Sequence, residues 1–306
     1  MNILISGIAG DIGFGVGRIL RDWGISKNLI GIDTGNEHPG KLLFDSVLLA
    51  PRAMDPSYID WLHNLITEYK VDLFIPTSEA EISVISKNID VITKITKVLI
   101  NAPSLIDICM DKHAMLLFLS SQGVRVPDHG LMGVDTPINF PVIVKPRRGR
   151  GSKDIKQIDS VLELSSDNDG EVWQELLLPA EQEFTCAVYV RPNLETRILQ
   201  LKRTLVGGYT GKAEVFDNSD ISKYIQDIVN IFKIHGCFNI QLRLTKQGPL
   251  LFEINPRLSS TLVFRDKLGF MDLRWWICDK LGLEAPSYKR PKIKTKIYRG
   301  NIEYIV

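Results

Sequence analysis

Apolar and polar positions change period several times along the chain, and each change marks an element. Residues 2–6 are a short apolar run that reads as a buried strand, followed by a glycine loop and a helix to about Trp23. Residues 29–33 and 47–49 read as two more strands. Within 58–69, Ile59, Leu62, Leu65 and Ile66 recur at helical spacing, and residues 71–75 form a strand stopped by Pro76. A helix near 80–87 and a strand near 98–100 complete the alternation. Strands alternating with helices predict a parallel, doubly wound sheet, here ending near residue 108.

The pattern then changes. One helix is expected over 111–122, opened by Asp111 as N-cap and closed by Gly123. Residues 141–145, 171–176, 184–190 and 197–205 are candidate strands. An amphipathic helix over 221–235 precedes a hairpin built from 237–244 and the segment 249–257, joined through Lys246, Gln247 and Gly248. Helices near 260–268 and 273–281 and a last strand over 293–304 close the chain.

Composition narrows the function classes. Of 306 residues, 44% are hydrophobic and 24% charged, as in a globular protein with a full core. The net charge of +1 supplies no field that would recruit nucleic acid or an anionic membrane. No apolar stretch reaches the ~18 residues of a membrane span. Met1 lacks a basic n-region behind it and the chain enters a strand at once, so no signal peptide is expected. Cys109, Cys186, Cys237 and Cys278 lie far apart and read as buried free thiols of a cytoplasmic protein. The five histidines show no metal spacing.

The chemistry concentrates in the hairpin. Glu253, Asn255 and Arg257 alternate after an apolar run, so on a strand they share one face. A carboxylate beside an amide oxygen suits a hard cation, and a guanidinium suits a phosphate. An antiparallel partner strand would bring Gln241 close to Glu253. Upstream, a buried strand holds Lys145, and the loop Arg147-Arg148-Gly149-Arg150-Gly151-Ser152-Lys153 offers backbone N–H groups and cations to a triphosphate. The same loop reads alternatively as an RNA contact, although it lacks aromatic residues for stacking.

Other motifs keep two readings. Gly7, Gly10 and Gly13 follow the first strand, and Asp33 comes twenty residues later, the layout of a dinucleotide fold with Asp33 on a ribose. The alternative is a Rossmann-like lobe that keeps the tight turn without a cofactor. The Tyr-x-x-x-Lys pair of a short-chain dehydrogenase is met only by Tyr288 and Lys292, with Pro291 breaking the helix between them. Glu79 and Glu81 face an acceptor amine or simply start a helix. The alternating lysines near residue 292 read as a guarded edge strand.

In this order, the Asp111-Lys112 pair, the Lys145 strand with its flap, Gln174-Glu175, Glu183, Gln241 and the Glu253–Arg257 strand resemble the ATP-grasp superfamily. Within it the chain is similar to the large subunit of carbamoyl phosphate synthetase and its short stand-alone relatives. The resemblance implies an α/β fold. A Rossmann-like, pre-ATP-grasp lobe (1–108) would precede a two-subdomain ATP-grasp α+β body, with the glycine-rich flap in 109–173 and the metal site in 174–306.

It also implies roles. Lys112, Lys145, Gly149, Gly151 and Ser152 would meet the phosphates of ATP. Gln174, Glu175 and Leu177 would cradle adenine, and Glu183 the ribose. Gln241, Glu253 and Asn255 would bind Mg²⁺, or Mn²⁺ in its place. Arg257 would steady the transferred phosphoryl group, with Lys145 and Arg203 in support. The implied reaction joins a small-molecule carboxylate to an amine through an acyl phosphate, releasing ADP and phosphate. Neither nucleic acid nor membrane is an expected partner, and a homodimer is compatible with this reading. A single grasp module argues against the two phosphorylations of carbamoyl phosphate synthesis. A kinase releasing its phosphorylated product and a degenerate nucleotide-binding protein are the alternatives.

Overall fold

Five parallel strands open the chain: β1 (Asn2–Ser6), β2 (Asn28–Asp33), β3 (Ser46–Leu49), β4 (Leu73–Ile75) and β5 (Lys97–Val98), in the order β3-β2-β1-β4-β5. The computed structural model describes residues 1–149 and 155–300. Arg150, Gly151, Ser152 and Lys153 of the expected flap, and the end of the expected last strand, lie outside the described residues. The crossovers α1 (Asp11–Trp23), α2 (Tyr58–Glu68), α3 (Glu79–Lys87) and α4 (Ile89–Ile92) cover the sheet. Parallel strands need such connections, and both sheet faces are then buried. Ile3 and Ile5 pack into one core while Leu4 packs into another with Tyr58, Leu62 and Phe74.

Helices α5 (Pro103–Cys109) and α6 (Lys112–Ser121) lead into two antiparallel sheets. The smaller contains β6 (His129–Leu131), β7 (Val142–Lys145), β8 (Lys156–Ile158) and β9 (Val172–Glu175), ordered β6-β9-β7-β8. The larger contains β10 (Glu183–Val190), β11 (Thr196–Val206), β12 (Tyr209–Phe216), β13 (Gly236–Thr245), β14 (Gly248–Asn255) and β15 (Lys296–Tyr298). Its order is β14-β13-β10-β11-β12-β15. Helix α7 (Ser219–Phe232) packs on this sheet through Ile221, Ile225, Ile228 and Val229.

The N-terminal lobe and the larger sheet share a core. Ile3, Ile5, Val16 and Ile19 join Leu262 of α8 (Leu262–Lys267) and Leu273 and Trp275 of α9 (Asp272–Leu281) in one apolar cluster. The contact requires a small residue. A Cβ on Gly15 of α1 would sit 3.0 Å from Val263 and 3.1 Å from Leu262.

The alternating N-terminal lobe and the strand-rich body agree with the pattern reading. Five elements escaped it: α4, α5, β6, β8 and β12. β12 buries only Thr210, Ala213 and Val215, too small or polar to register as an apolar stripe. The expected last strand is, within the described residues, only Lys296–Tyr298 on the sheet edge, with Lys296 exposed. All four cysteines are buried and free. No described helix is long and apolar enough to cross a membrane.

Candidate nucleotide and metal site

The two antiparallel sheets touch at Lys145. The side chain is 7% exposed at the end of β7. Its Nζ donates to Gln174 Oε1 of β9 at 2.8 Å and to the Phe252 carbonyl of β14 at 3.2 Å. A β-bulge makes the second bond possible. The register pairs Gln241 with Glu253 and Leu242 with Leu251, so Phe252 is the extra residue. Burial pulls the Lys145 ammonium down to about 8, with Glu253 acting against that shift and Lys112 with it.

Glu253 is half-buried, and its side chain forms no hydrogen bond or ion pair among the described residues. Its ladder partner Gln241 has Oε1 accepting from Arg203 Nη2 at 2.8 Å. Asn255 is buried, and its Oδ1 accepts from Arg257 Nη2 at 3.0 Å. Each amide oxygen keeps a second lone pair. No group of three or more His, Cys, Asp or Glu side chains gathers for a metal among the described residues. One carboxylate and two amide oxygens match a hard cation that takes its remaining ligands from phosphates and water.

Arg257 departs from the expected strand face. β14 ends at Asn255, and Arg257 lies in the bend beyond Pro256. Its guanidinium still returns to the site through Asn255, and it also pairs with Glu79 at the start of α3. The Glu79 carboxylate is thus spent on an arginine. Glu81 is more fully committed: Ser6 Oγ, Ser78 Oγ and Tyr58 Oη donate to it at 2.6, 2.8 and 2.6 Å.

Glu183 is clamped by two cations. Arg203 reaches it at 2.8 Å and Arg243 at 3.0 Å. Arg243 Nη1 also donates to the Leu177 carbonyl at 2.5 Å, fixing the segment after Glu175. Arg243 is a site residue with no motif of its own; its only sequence signal is that it sits two positions beyond Gln241 on the same strand face. Burial pushes the Glu175 carboxyl up, and a hydrogen bond from the Asp128 backbone opposes that. Among this set, Lys145, Gln174, Gln241, Glu253, Asn255 and Arg203 come together around the junction of the two sheets.

Lys112 approaches from α6. Its Nζ donates to the Gly149 carbonyl at 2.8 Å, closing the described start of the flap onto the helix. Gly149 has φ +117°, a conformation that side chains rarely adopt. Asp111 does double duty: it caps α6 at Ala114 N and takes Arg147 Nε at 2.8 and 2.7 Å. The guanidinium and the cap hold this carboxyl low despite its burial.

The glycine loop of the first lobe serves itself. A Cβ on Gly13 would lie 2.3 Å from the Gly7 carbonyl, so the helix start and the loop pack without side chains. Asp33 accepts the Ala9 N–H at 2.9 Å and the Gly35 N–H at 3.3 Å. Both carboxylate oxygens tie down loops.

Comparison with known proteins adds to this geometry. Residues 177–298 match a family described as "ATP-grasp in the biosynthetic pathway with Ter operon". A search of curated proteins finds no match. The fold is similar to N5-carboxyaminoimidazole synthetase from Staphylococcus aureus complexed with ADP, at TM-score 0.76 and 15% identity over 96% of this chain and 80% of that one. It is similar to biotin carboxylase from Campylobacter jejuni, at TM-score 0.76 and 15% identity over 96% and 74%. L-amino acid ligase from Bacillus licheniformis aligns at TM-score 0.72 and 17% identity over 91% and 74%. The comparisons thus give an ATP-grasp match over residues 177–298, which span the larger sheet, and a fold shared with these three enzymes along nearly the whole chain.

Proposed function

We propose that the protein is an ATP-dependent carboxylate–amine ligase that works through an acyl phosphate and releases ADP and phosphate. The observation that carries this reading is a buried Lys145 ammonium within electrostatic reach of the half-buried Glu253 carboxylate, whose side chain has no hydrogen bond or ion pair among the described residues. Buried charge is costly, and leaving it uncompensated is a feature of sites completed by a ligand.

Lys145 and Lys112 neutralise phosphate oxygens, which explains why the former is held rigidly between Gln174 and Phe252. Glu253, with the Gln241 and Asn255 oxygens, would hold Mg²⁺ or Mn²⁺, which neutralises charge between the terminal phosphates when bound. Arg257 is positioned by Asn255 and Glu79 to stabilise a phosphoryl group in transfer to a carboxylate. Arg203, held by Glu183 and Gln241, is the residue we assign to the acceptor. The names of the similar solved structures include an amino acid ligase, a carboxylase and a synthetase, which supports small-molecule carboxylate and amine substrates.

The test is an ADP-release screen against pooled carboxylates and amines, followed by isotope tracing on the hit. Oxygen-18 in the substrate carboxylate should appear in released phosphate, and hydroxylamine should trap a hydroxamate. Label recovered in AMP with pyrophosphate release would overturn the mechanism. ADP formed without label transfer would put the kinase reading first.

A further inference from the structure

A cavity away from this chemistry opens beside the far end of β10. It holds about 490 Å³, within the size range of small-molecule sites. β10 carries Glu183 at one end and Tyr189 and Val190 at the other, and the cavity opens against the latter pair. Glu183 and Val190 are the two ends of the eight-residue strand, roughly 23 Å apart at the usual rise. A ligand here would not share the nucleotide site.

The walls and the rim differ in chemistry. Leu105, Ile108, Phe118, Phe232 and Trp276 supply apolar and aromatic surface from four helices, and Ile234 from the loop after α7. Lys233 and Lys280 stand exposed at the mouth and have no carboxylate partner among the described residues. The one acid in the lining, Asp279, is neutralised by Arg191 at 2.8 Å and also accepts from the Tyr189 hydroxyl. The uncompensated charge facing the cavity is therefore positive. Burial and the nearby Lys97 both lower the Lys280 ammonium, which an anion would relieve.

Lys233 adds an independent sign. It is the C-cap residue of α7 at φ 49°, a left-handed position where glycine is the ordinary choice. A long cation stands there instead, at the edge of an apolar hollow. From these features we infer that the cavity is a binding site for a small amphipathic carboxylate, its apolar body against Phe118, Phe232 and Trp276 and its charge between Lys233 and Lys280.

The experiment is titration calorimetry of the full chain with 4-phenylbutyrate, octanoate and indole-3-propionate, each beside its uncharged alcohol. One equivalent of at least one acid should bind, with affinity unchanged by a saturating non-hydrolysable ATP analogue. The alcohol should bind about tenfold more weakly, a difference of about 1.4 kcal/mol. Lys233→Gly removes the charge at a position glycine suits, so the fold should be kept, and with Lys280→Gln it should weaken the acid about tenfold. Ile108→Trp, which fills the hollow, should abolish binding while the cationic pair remains. The inference is overturned if no acid binds, if the analogue competes, or if the double variant binds like the parent.

Discussion

The first lobe and the grasp body each present a glycine loop beside a charged residue, and they differ in where the charges end. In the first lobe, Asp33 closes on the Ala9 and Gly35 N–H groups, and Glu81 on three hydroxyls. In the body, Glu253 has no hydrogen-bond or ion-pair partner among the described residues, and Lys145 is buried with only neutral acceptors. A satisfied polar group stabilises a fold, whereas a desolvated and unsatisfied one costs stability until a ligand arrives. The comparison teaches that spacing alone does not identify a nucleotide site. Under the proposed function, the charges left open mark it instead.

The sharpest way to break this contrast is to neutralise one carboxylate in each region. Glu253→Gln is expected to lower the rate of ADP formation by roughly 10²–10³-fold, the scale of losing one preorganised charge contact. Asp33→Asn should leave the rate unchanged. Steady-state kinetics on both variants decides it, and the reverse pattern would move the nucleotide to the first lobe.

Lys145 comes next. Lys145→Met should raise the KM for ATP by about tenfold to a hundredfold, the value of a charge-assisted hydrogen bond of ~1.5–3 kcal/mol. The same residue predicts a pH effect. Its folded value of about 8 lies below the ordinary 10.5, so the folded chain binds fewer protons than the unfolded chain between them. This group therefore makes stability rise from pH 8 to 10.5, with its full cost present below 8. Urea unfolding across that window should show the slope, and Lys145→Met should flatten it.

Glu183 separates structure from ligand contact inside the body. Glu183→Ala leaves Arg203 and Arg243 without their carboxylate and should cost about 2 kcal/mol in chemical denaturation. If Glu183 also holds ribose, KM for ATP rises while KM for the carboxylate does not. The smallest effect is expected from Asp33→Ala. It should lose about 1 kcal/mol of stability, from the freed Ala9 N–H, with Mg·ATP still raising the melting temperature and NADPH leaving it unchanged.

Much of the fold was legible because periodicity reports burial. Leu62, Leu65 and Ile66 had to face a core, and Ile3, Leu4 and Ile5 had to be buried on both sides. The pairing of Gln241 with Glu253 followed from the antiparallel hairpin. The bulge at Phe252 did not, because an extra residue in a ladder leaves no local trace in an apolar run. Arg257 illustrates the same limit. Its alternation with Asn255 suggested a common strand face, but the strand stops first and a turn brings the guanidinium back.

The chain by itself determined which residue types could do phosphate and metal chemistry, and that a parallel lobe precedes a strand-rich body. Both are properties of local order: side-chain chemistry, period, and punctuation by glycine and proline. Tertiary structure alone decided which of those charges remain available. Asp33, Glu79, Glu81 and Glu183 find partners at 24, 178, 75 and up to 60 positions away in sequence, and the Glu253 side chain finds no hydrogen bond or ion pair among the described residues. Whether a carboxylate is spent or open depends on groups brought beside it by packing. No pattern along the chain encodes that distance.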